Sequence, residues 1–171
     1  MTMQTENTIW QGAGRRIYLQ EVGTRDGLQM EAVFVPTEEK IALVNALSDA
    51  GLSKIEVTAF VSPAAIPALR DAETVLREIT RRPGVVYSAL VPNVRGAERA
   101  IDAHTDEFNL VMSCSETHNL ANLRMTRAQS FAALAEVIKL AQATATATAA
   151  ATATATLTAN RPSLNVSLSC S

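Results

Sequence analysis

The chain has 171 residues, 47% hydrophobic and 19% charged, enough to bury a core and most simply arranged as one globular domain. Its 15 basic and 17 acidic side chains leave a net charge of -2, so there is no basic field to hold nucleic acid, and no run is apolar enough to span a membrane. Cys114 and Cys170 lie too far apart in sequence for a C-x-x-C zinc knuckle and make no disulfide framework; with no signal or transit pattern at the amino terminus, a reducing cytoplasm is the expected setting.

Residues 1–14 read as a flexible amino terminus. Arg16 to Val22 has the apolar, β-branched character of a strand, and Gly23 and Gly27 then let the backbone turn sharply. The stretch Gln20 to Gln29 therefore places Arg25 and Asp26 at a strand's carboxyl end, where parallel α/β folds keep their chemistry. Asp26-Gly27 equally fits the tight turn of a β-hairpin, and on these two residues both readings stay open.

Thr37 to Ala50 carries Ile41, Val44 and Leu47 at helical spacing, with Glu38 and Glu39 in its first turn and Gly51 as its stop. Lys54 to Phe60 follows as a strand whose one acidic residue, Glu56, sits inside the apolar run and requires a partner. A helix is predicted over residues 69–82, ended by Pro83-Gly84, then a strand over 85–91 and a short helix near Val94 to Ala103. Glu107 to Met112 reads as a fourth strand, and the polar segment Ser113 to Arg124 as its loop, with His118 in that loop and His104 near the end of the preceding helix. Thr126 with Gln129 has the form of a capping box, and Phe131, Leu134, Val137, Ile138 and Ala141 continue the helical period. Strand and helix thus alternate four times, which predicts a parallel sheet.

From Ala143 to Thr156 only alanine and threonine occur, so residues 143–163 read as a low-complexity insertion, either disordered or a loose extension of the helix before it. Leu164 to Ser169 alternates apolar with polar and reads as a fifth strand just before the last residue, Ser171.

On Glu21-Val-Gly-Thr-Arg-Asp-Gly-Leu-Gln29, Gly51 to Pro63, Val91-Pro-Asn93 and Ser115-Glu-Thr-His-Asn119, the chain resembles the hydroxymethylglutaryl-CoA lyases, a metal-dependent family of barrel enzymes. The likeness covers roughly residues 15–142 and resumes near Asn165. It implies an α/β fold, an incomplete (β/α)8 TIM barrel with about five of eight strands, residues 15–142 being its amino-terminal part and 164–171 the start of its fifth strand. It further implies cleavage of 3-hydroxy-3-methylglutaryl-CoA to acetyl-CoA and acetoacetate with magnesium or manganese. By motif, Asp26 matches the metal-binding carboxylate, Arg25 the catalytic and substrate-binding cation, Glu56 the acidic residue that supports the site, and Gln29 part of its polar wall. The implied partner is an acyl-CoA, with no nucleic acid and no membrane.

The family pattern also includes a His-x-His pair, an asparagine and a later catalytic cysteine. Those groups come from later strands and a later glycine-rich loop and have no match in this sequence, so neither His104 nor His118 takes a ligand role and Cys114 and Cys170 read as ordinary thiols. The expectation is therefore the front part of such a barrel, with further strands encoded beyond Ser171. Two alternatives accompany it: a related acetyl-CoA-dependent synthase, and a non-catalytic α/β fragment whose open edge and apolar faces would favour a homo-oligomer.

Overall fold

The computed structural model describes residues 18–152 and 163–169, with side chains for residues 18–144. The expected flexible segment 1–14, the start of the first strand and residues 153–162 of the Ala/Thr tract lie outside the described residues, as does Cys170. Five strands, β1 (Gln20–Glu21), β2 (Lys54–Ala59), β3 (Val86–Leu90), β4 (Glu107–Ser113) and β5 (Ser163–Ser169), form one sheet in chain order. Every neighbouring pair is parallel. Parallel neighbours need a crossover between them, and helices α1 (Thr37–Asp49), α2 (Ala72–Glu78) and α3 (Val94–Asp102) supply the first three. Two helices, α4 (Glu116–Leu123) and α5 (Arg127–Thr152), stand between β4 and β5. This is the sheet order and layering of part of a (β/α)8 barrel.

Local sequence explains most boundaries. Helix α1 opens on Glu38 and Glu39, which complement its dipole, and ends where Gly51 takes a φ of 84°, a left-handed position that glycine fills without steric cost. Asn93 caps α3, its side-chain oxygen accepting the Gly96 N–H at 2.9 Å. The capping box at α5 forms reciprocally: Gln129 Oε1 accepts from the Thr126 N–H at 2.8 Å, and Thr126 Oγ1 from the Gln129 N–H at 3.2 Å. Helix α5 then runs into the first part of the Ala/Thr tract, as far as Thr152.

Two expectations are corrected. Helix α2 covers Ala72–Glu78 rather than 69–82: a single 3-10 turn, Pro67–Leu69, precedes it, and Ile79 leaves helical backbone at ψ 146°. There Asn45 Oδ1 takes the Thr80 N–H at 2.7 Å, satisfying a donor that a longer helix would have bonded internally. The segment after β4 is not a loop, since Ser115 Oγ caps helix α4 by accepting the His118 N–H at 3.3 Å, and His118 therefore lies on that helix.

The sheet's two faces differ in chemistry. Ile55, Val57, Tyr87, Ala89, Phe108 and Leu110 are buried against Val44, Leu76, Ala97, Ala100 and Val137 of the helices. Each large side chain so buried contributes about 1.5–3 kcal/mol. Alternation turns Lys54, Glu56, Thr58, Ser88, Glu107 and Asn109 to the other, concave face, where Lys54 Nζ meets Glu107 Oε1 at 2.6 Å. The pairing of β2 with β3 slips between Glu56 and Thr58, a bulge one residue beyond the buried carboxylate.

Gly96 lets α3 approach the end of β2. A β-carbon there would lie 2.7 Å from the Phe60 carbonyl oxygen and 3.1 Å from Pro92 Cδ. Because the first obstacle is backbone, Gly96→Ala is expected to destabilise the fold by about 1–3 kcal/mol, read as a lower urea midpoint. An unchanged midpoint would mean that the helix can shift outward at no cost.

Candidate active site

The site begins where β1 ends. Glu21 Oε1 accepts the Gly23 N–H at 2.6 Å and would lie 2.9 Å from a β-carbon at residue 23, so a side chain there would displace the Glu21 carboxylate. From Gly23 to Gly27 the chain makes one π-helical turn, with the Val22 carbonyl accepting from the Arg25 N–H at 3.0 Å and the Asp26 N–H at 2.7 Å. The hairpin reading of Asp26-Gly27 is thereby excluded: no strand returns, and the chain winds onward. Thr24, buried, pins the turn to the sheet by donating its hydroxyl to the Glu56 carbonyl at 2.7 Å.

That pin sets Arg25 beside Glu56 of β2. Its Nε donates to Glu56 Oε1 at 2.6 Å and its Nη1 to Asp26 Oδ1 at 2.7 Å. Three of the residues singled out in the sequence, one cation and two carboxylates, thus form one ion cluster. The Glu56 side chain is 5% exposed, Arg25 18% and Asp26 64%, so the Arg25–Glu56 pair is largely dry and the Arg25–Asp26 pair faces solvent. Two guanidinium N–H groups are used in these bonds, leaving the others for a ligand.

Arg25 lines a cavity of about 550 Å³ together with Gln29, Leu90, Met112, Ser113 and His118. Gln29 also lines an adjoining groove with Phe34 and Ile66. Helix α4 builds the cavity's far wall, and it is tied down by Asn119, which is fully buried. Asn119 Oδ1 accepts the Ser113 N–H at 3.0 Å, while its Nδ2 donates to the Met125 carbonyl at 2.8 Å and to Ser130 Oγ at 2.7 Å. One side chain thus joins the end of β4, the turn after α4 and the start of α5.

Among the described residues, no three His, Cys, Asp or Glu side chains gather closely enough to hold a metal ion. Asp26 offers one hard oxygen donor of the kind magnesium and manganese ions take, since among the described residues its second carboxylate oxygen accepts no hydrogen bond. No helix among them is long and apolar enough to cross a membrane.

The family model described as HMGL-like matches residues 16–167. The chain belongs to the HMGL-like family. A hydroxymethylglutaryl-CoA lyase of Bacillus subtilis (strain 168) is 48% identical over 128 residues, covering 75% of this chain and 43% of that protein. The mitochondrial hydroxymethylglutaryl-CoA lyase of Mus musculus is 41% identical over 129 residues, 75% of this chain and 40% of the mouse protein. Among solved structures, an HMG-CoA lyase from Acinetobacter baumannii in complex with coenzyme A and 3-methylmalate superposes with a TM-score of 0.76 at 46% identity. That match covers 88% of this chain and 44% of the other. This HMGL-like chain therefore spans less than half the length of the relatives it matches, and its fold is part of their TIM barrel. The HMGL-like family is one of lyase-type enzymes and is metal-dependent in general.

Sequence reasoning missed three contributors to the candidate site: the Thr24 pin, the Asn119 tie and the α4 wall. Ser115, three residues before the His118 N–H that it caps, was the available signal for the helix. Nothing in the sequence around Asn119 marks its three bonds, because its partners become neighbours only when β4, α4 and α5 are in place.

Proposed function

We propose that this chain supplies the Arg25 side of a carbon-carbon lyase site acting on 3-hydroxy-3-methylglutaryl-CoA. The observation that carries the reading is Arg25, fixed by Glu56 and Asp26 at the carboxyl end of the parallel sheet and lining an open cavity. In this reaction the tertiary hydroxyl loses its proton and its carbon becomes the ketone of acetoacetate. The bond to the thioester's α-carbon breaks, and the electron pair passes into the acetyl-CoA enolate, which is then protonated. Negative charge grows on the thioester oxygen during that step, and the uncommitted N–H groups of Arg25 are the donors suited to meet it. Glu56 positions Arg25 rather than touching substrate, because its carboxylate is buried behind the guanidinium. Gln29 contributes a polar amide to the cavity wall. Asp26 would furnish one ligand to a magnesium or manganese ion, which when bound polarises the substrate's hydroxyl and carbonyl oxygens. The reading includes a cytoplasmic setting and an acyl-CoA partner.

The test is mass-spectrometric detection of acetoacetate and acetyl-CoA from 3-hydroxy-3-methylglutaryl-CoA, with magnesium or manganese present. Equal amounts of both products are expected, and Arg25→Met should lower turnover by about a hundredfold or more, as for loss of a transition-state donor. Condensation of acetyl-CoA with a 2-oxo acid in place of cleavage would move the assignment to the synthase, and full turnover by Arg25→Met would remove Arg25 from the chemistry.

A further inference from the structure

Cleavage moves one proton, from the tertiary hydroxyl to the carbon of the enolate, and neither Arg25 nor Glu56 nor Gln29 has the chemistry or the place to carry it. Of the described residues that line the Arg25 cavity, two ionise, Arg25 and His118. A guanidinium keeps its protons throughout the physiological range and serves as neither base nor acid. Gln29 and Asn122 present amides, which do not titrate. Ser113 presents a hydroxyl that already accepts the Ser115 N–H at 3.2 Å. Imidazole is the side chain that both takes and gives a proton near neutrality.

The neighbouring carboxylates are committed elsewhere. Glu56 and Asp26 both bond Arg25, and neither is among the residues that line the cavity. Glu116, two residues before His118 on α4, accepts from the Arg127 N–H at 3.1 Å and from Arg127 Nε at 3.0 Å. Those bonds, with the Arg127 charge, hold the Glu116 carboxyl below its usual range, so it stays ionised and bound to Arg127. The charged groups around His118 are thus Arg25 across the cavity and the Glu116–Arg127 pair at the starts of α4 and α5. His118 itself is half-buried, and its place is fixed from both sides along the chain. Ser115 Oγ takes its N–H at 3.3 Å, and the next residue is Asn119, whose three bonds tie α4 to the end of β4 and the start of α5. A group held on a helix so anchored needs little reorganisation to meet a substrate.

Resting on the lyase reading, we infer that His118 is the proton carrier of the reaction, taking the proton of the tertiary hydroxyl and returning it to the enolate carbon. A neutral ring nitrogen accepts the hydroxyl proton, and the electron pair of the O–H bond becomes the second bond of the acetoacetate ketone. The pair of the breaking carbon-carbon bond passes into the thioester, whose oxygen takes the charge beside Arg25. The enolate then collapses, and its carbon takes the proton from the imidazolium to complete the acetyl methyl group. One proton moves, no oxidant or reductant is needed, and the imidazole ends neutral as it began. The cavity thus sets a fixed cation on its β1 side against an exchangeable proton on its α4 side.

The experiment follows two rates in the full chain and in its His118→Gln and His118→Ala variants, with magnesium present. One is acetoacetate release from 3-hydroxy-3-methylglutaryl-CoA; the other is deuterium uptake into the acetyl-CoA methyl group in D2O, a proton transfer that needs no carbon-carbon cleavage. Both should fall by about a hundredfold or more in His118→Gln, with the circular dichroism spectrum and calorimetric CoA binding unchanged. Added imidazole should raise turnover of His118→Ala by about tenfold and leave Arg25→Met unmoved. The acid limb of the kcat/KM profile, where a base is lost as pH falls, should disappear in His118→Gln. Rates in His118→Gln within about threefold of wild type, or a loss that imidazole does not restore and that leaves the pH profile unaltered, would overturn the assignment. The two readings fail separately: cleavage that survives in both His118 variants keeps the lyase and removes the proton carrier. Deuterium uptake that depends on His118 and is rescued by imidazole, without cleavage by the wild type, keeps the carrier and removes the lyase, while absence of both rates in the wild type removes both.

Discussion

Replacing Arg25 by Met is expected to lower the free energy of unfolding by about 3–5 kcal/mol, because the Glu56 carboxyl would be left inside the sheet with no cation beside it. The Glu56 side chain is 5% exposed, and among the described residues its one side-chain hydrogen bond is the one from Arg25 Nε. Removing both charges together should cost far less: Arg25→Met/Glu56→Gln is expected to recover most of the stability while remaining inactive. Urea unfolding of the wild type, both single variants and the double variant closes the cycle. A double variant no more stable than Arg25→Met would show that the guanidinium contributes packing rather than charge compensation. The distinction matters for any activity assay, since loss of turnover in the single variant mixes unfolding with lost chemistry, and the double variant supplies the folded control.

The second large effect is expected at Asn119. Asn119→Leu keeps the approximate volume but removes three hydrogen bonds, to the Ser113 N–H, the Met125 carbonyl and the Ser130 hydroxyl. At about 1 kcal/mol for each hydrogen bond lost, the loss should reach about 3 kcal/mol. Asn119→Asp retains the acceptor and loses the two donated bonds, so its cost should be smaller in the hydrogen-bond count but increased by an uncompensated buried charge. Because Asn119 anchors α4, hydrogen exchange in Glu116–Leu123 should accelerate before that of β4. Uniform acceleration across the sheet would mean that α4 is no separate cooperative unit.

How much of this could be read from the chain depends on where each partner lies in sequence. Strands β2, β3 and β4 were legible because their apolar runs are bounded by turn residues, and α1 because its period ends on Gly51. The need of Glu56 for a partner was also legible, since a carboxylate inside an apolar strand is costly alone. Its partnership with Arg25 became visible only with β1 laid beside β2, Glu21 opposite Ile55. Helix α4 escaped notice because Glu116–Leu123 lacks a sustained apolar stripe; tertiary bonds through Asn119, more than propensity, hold it. The Thr24 pin and the π-helical turn have no local signature at all, because Thr24 bonds a carbonyl on the neighbouring strand.

The order of the sheet bears on how the polypeptide acquires its shape during synthesis. Since β1 through β5 are adjacent in space exactly as they are in sequence, each strand emerging from a ribosome finds its template already made on one side. Docking can proceed by accretion, with no strand required to wait for a later one to open a gap. The closures are unequal, however: Lys54 meets Val86, Ser88 meets Glu107, but Glu107 must wait for Ser163. That last loop is the longest, and each doubling of loop length costs only about 0.6 kcal/mol more. The delay is therefore one of time more than of free energy, and until it ends β4 is the exposed margin against which a stray strand could lodge.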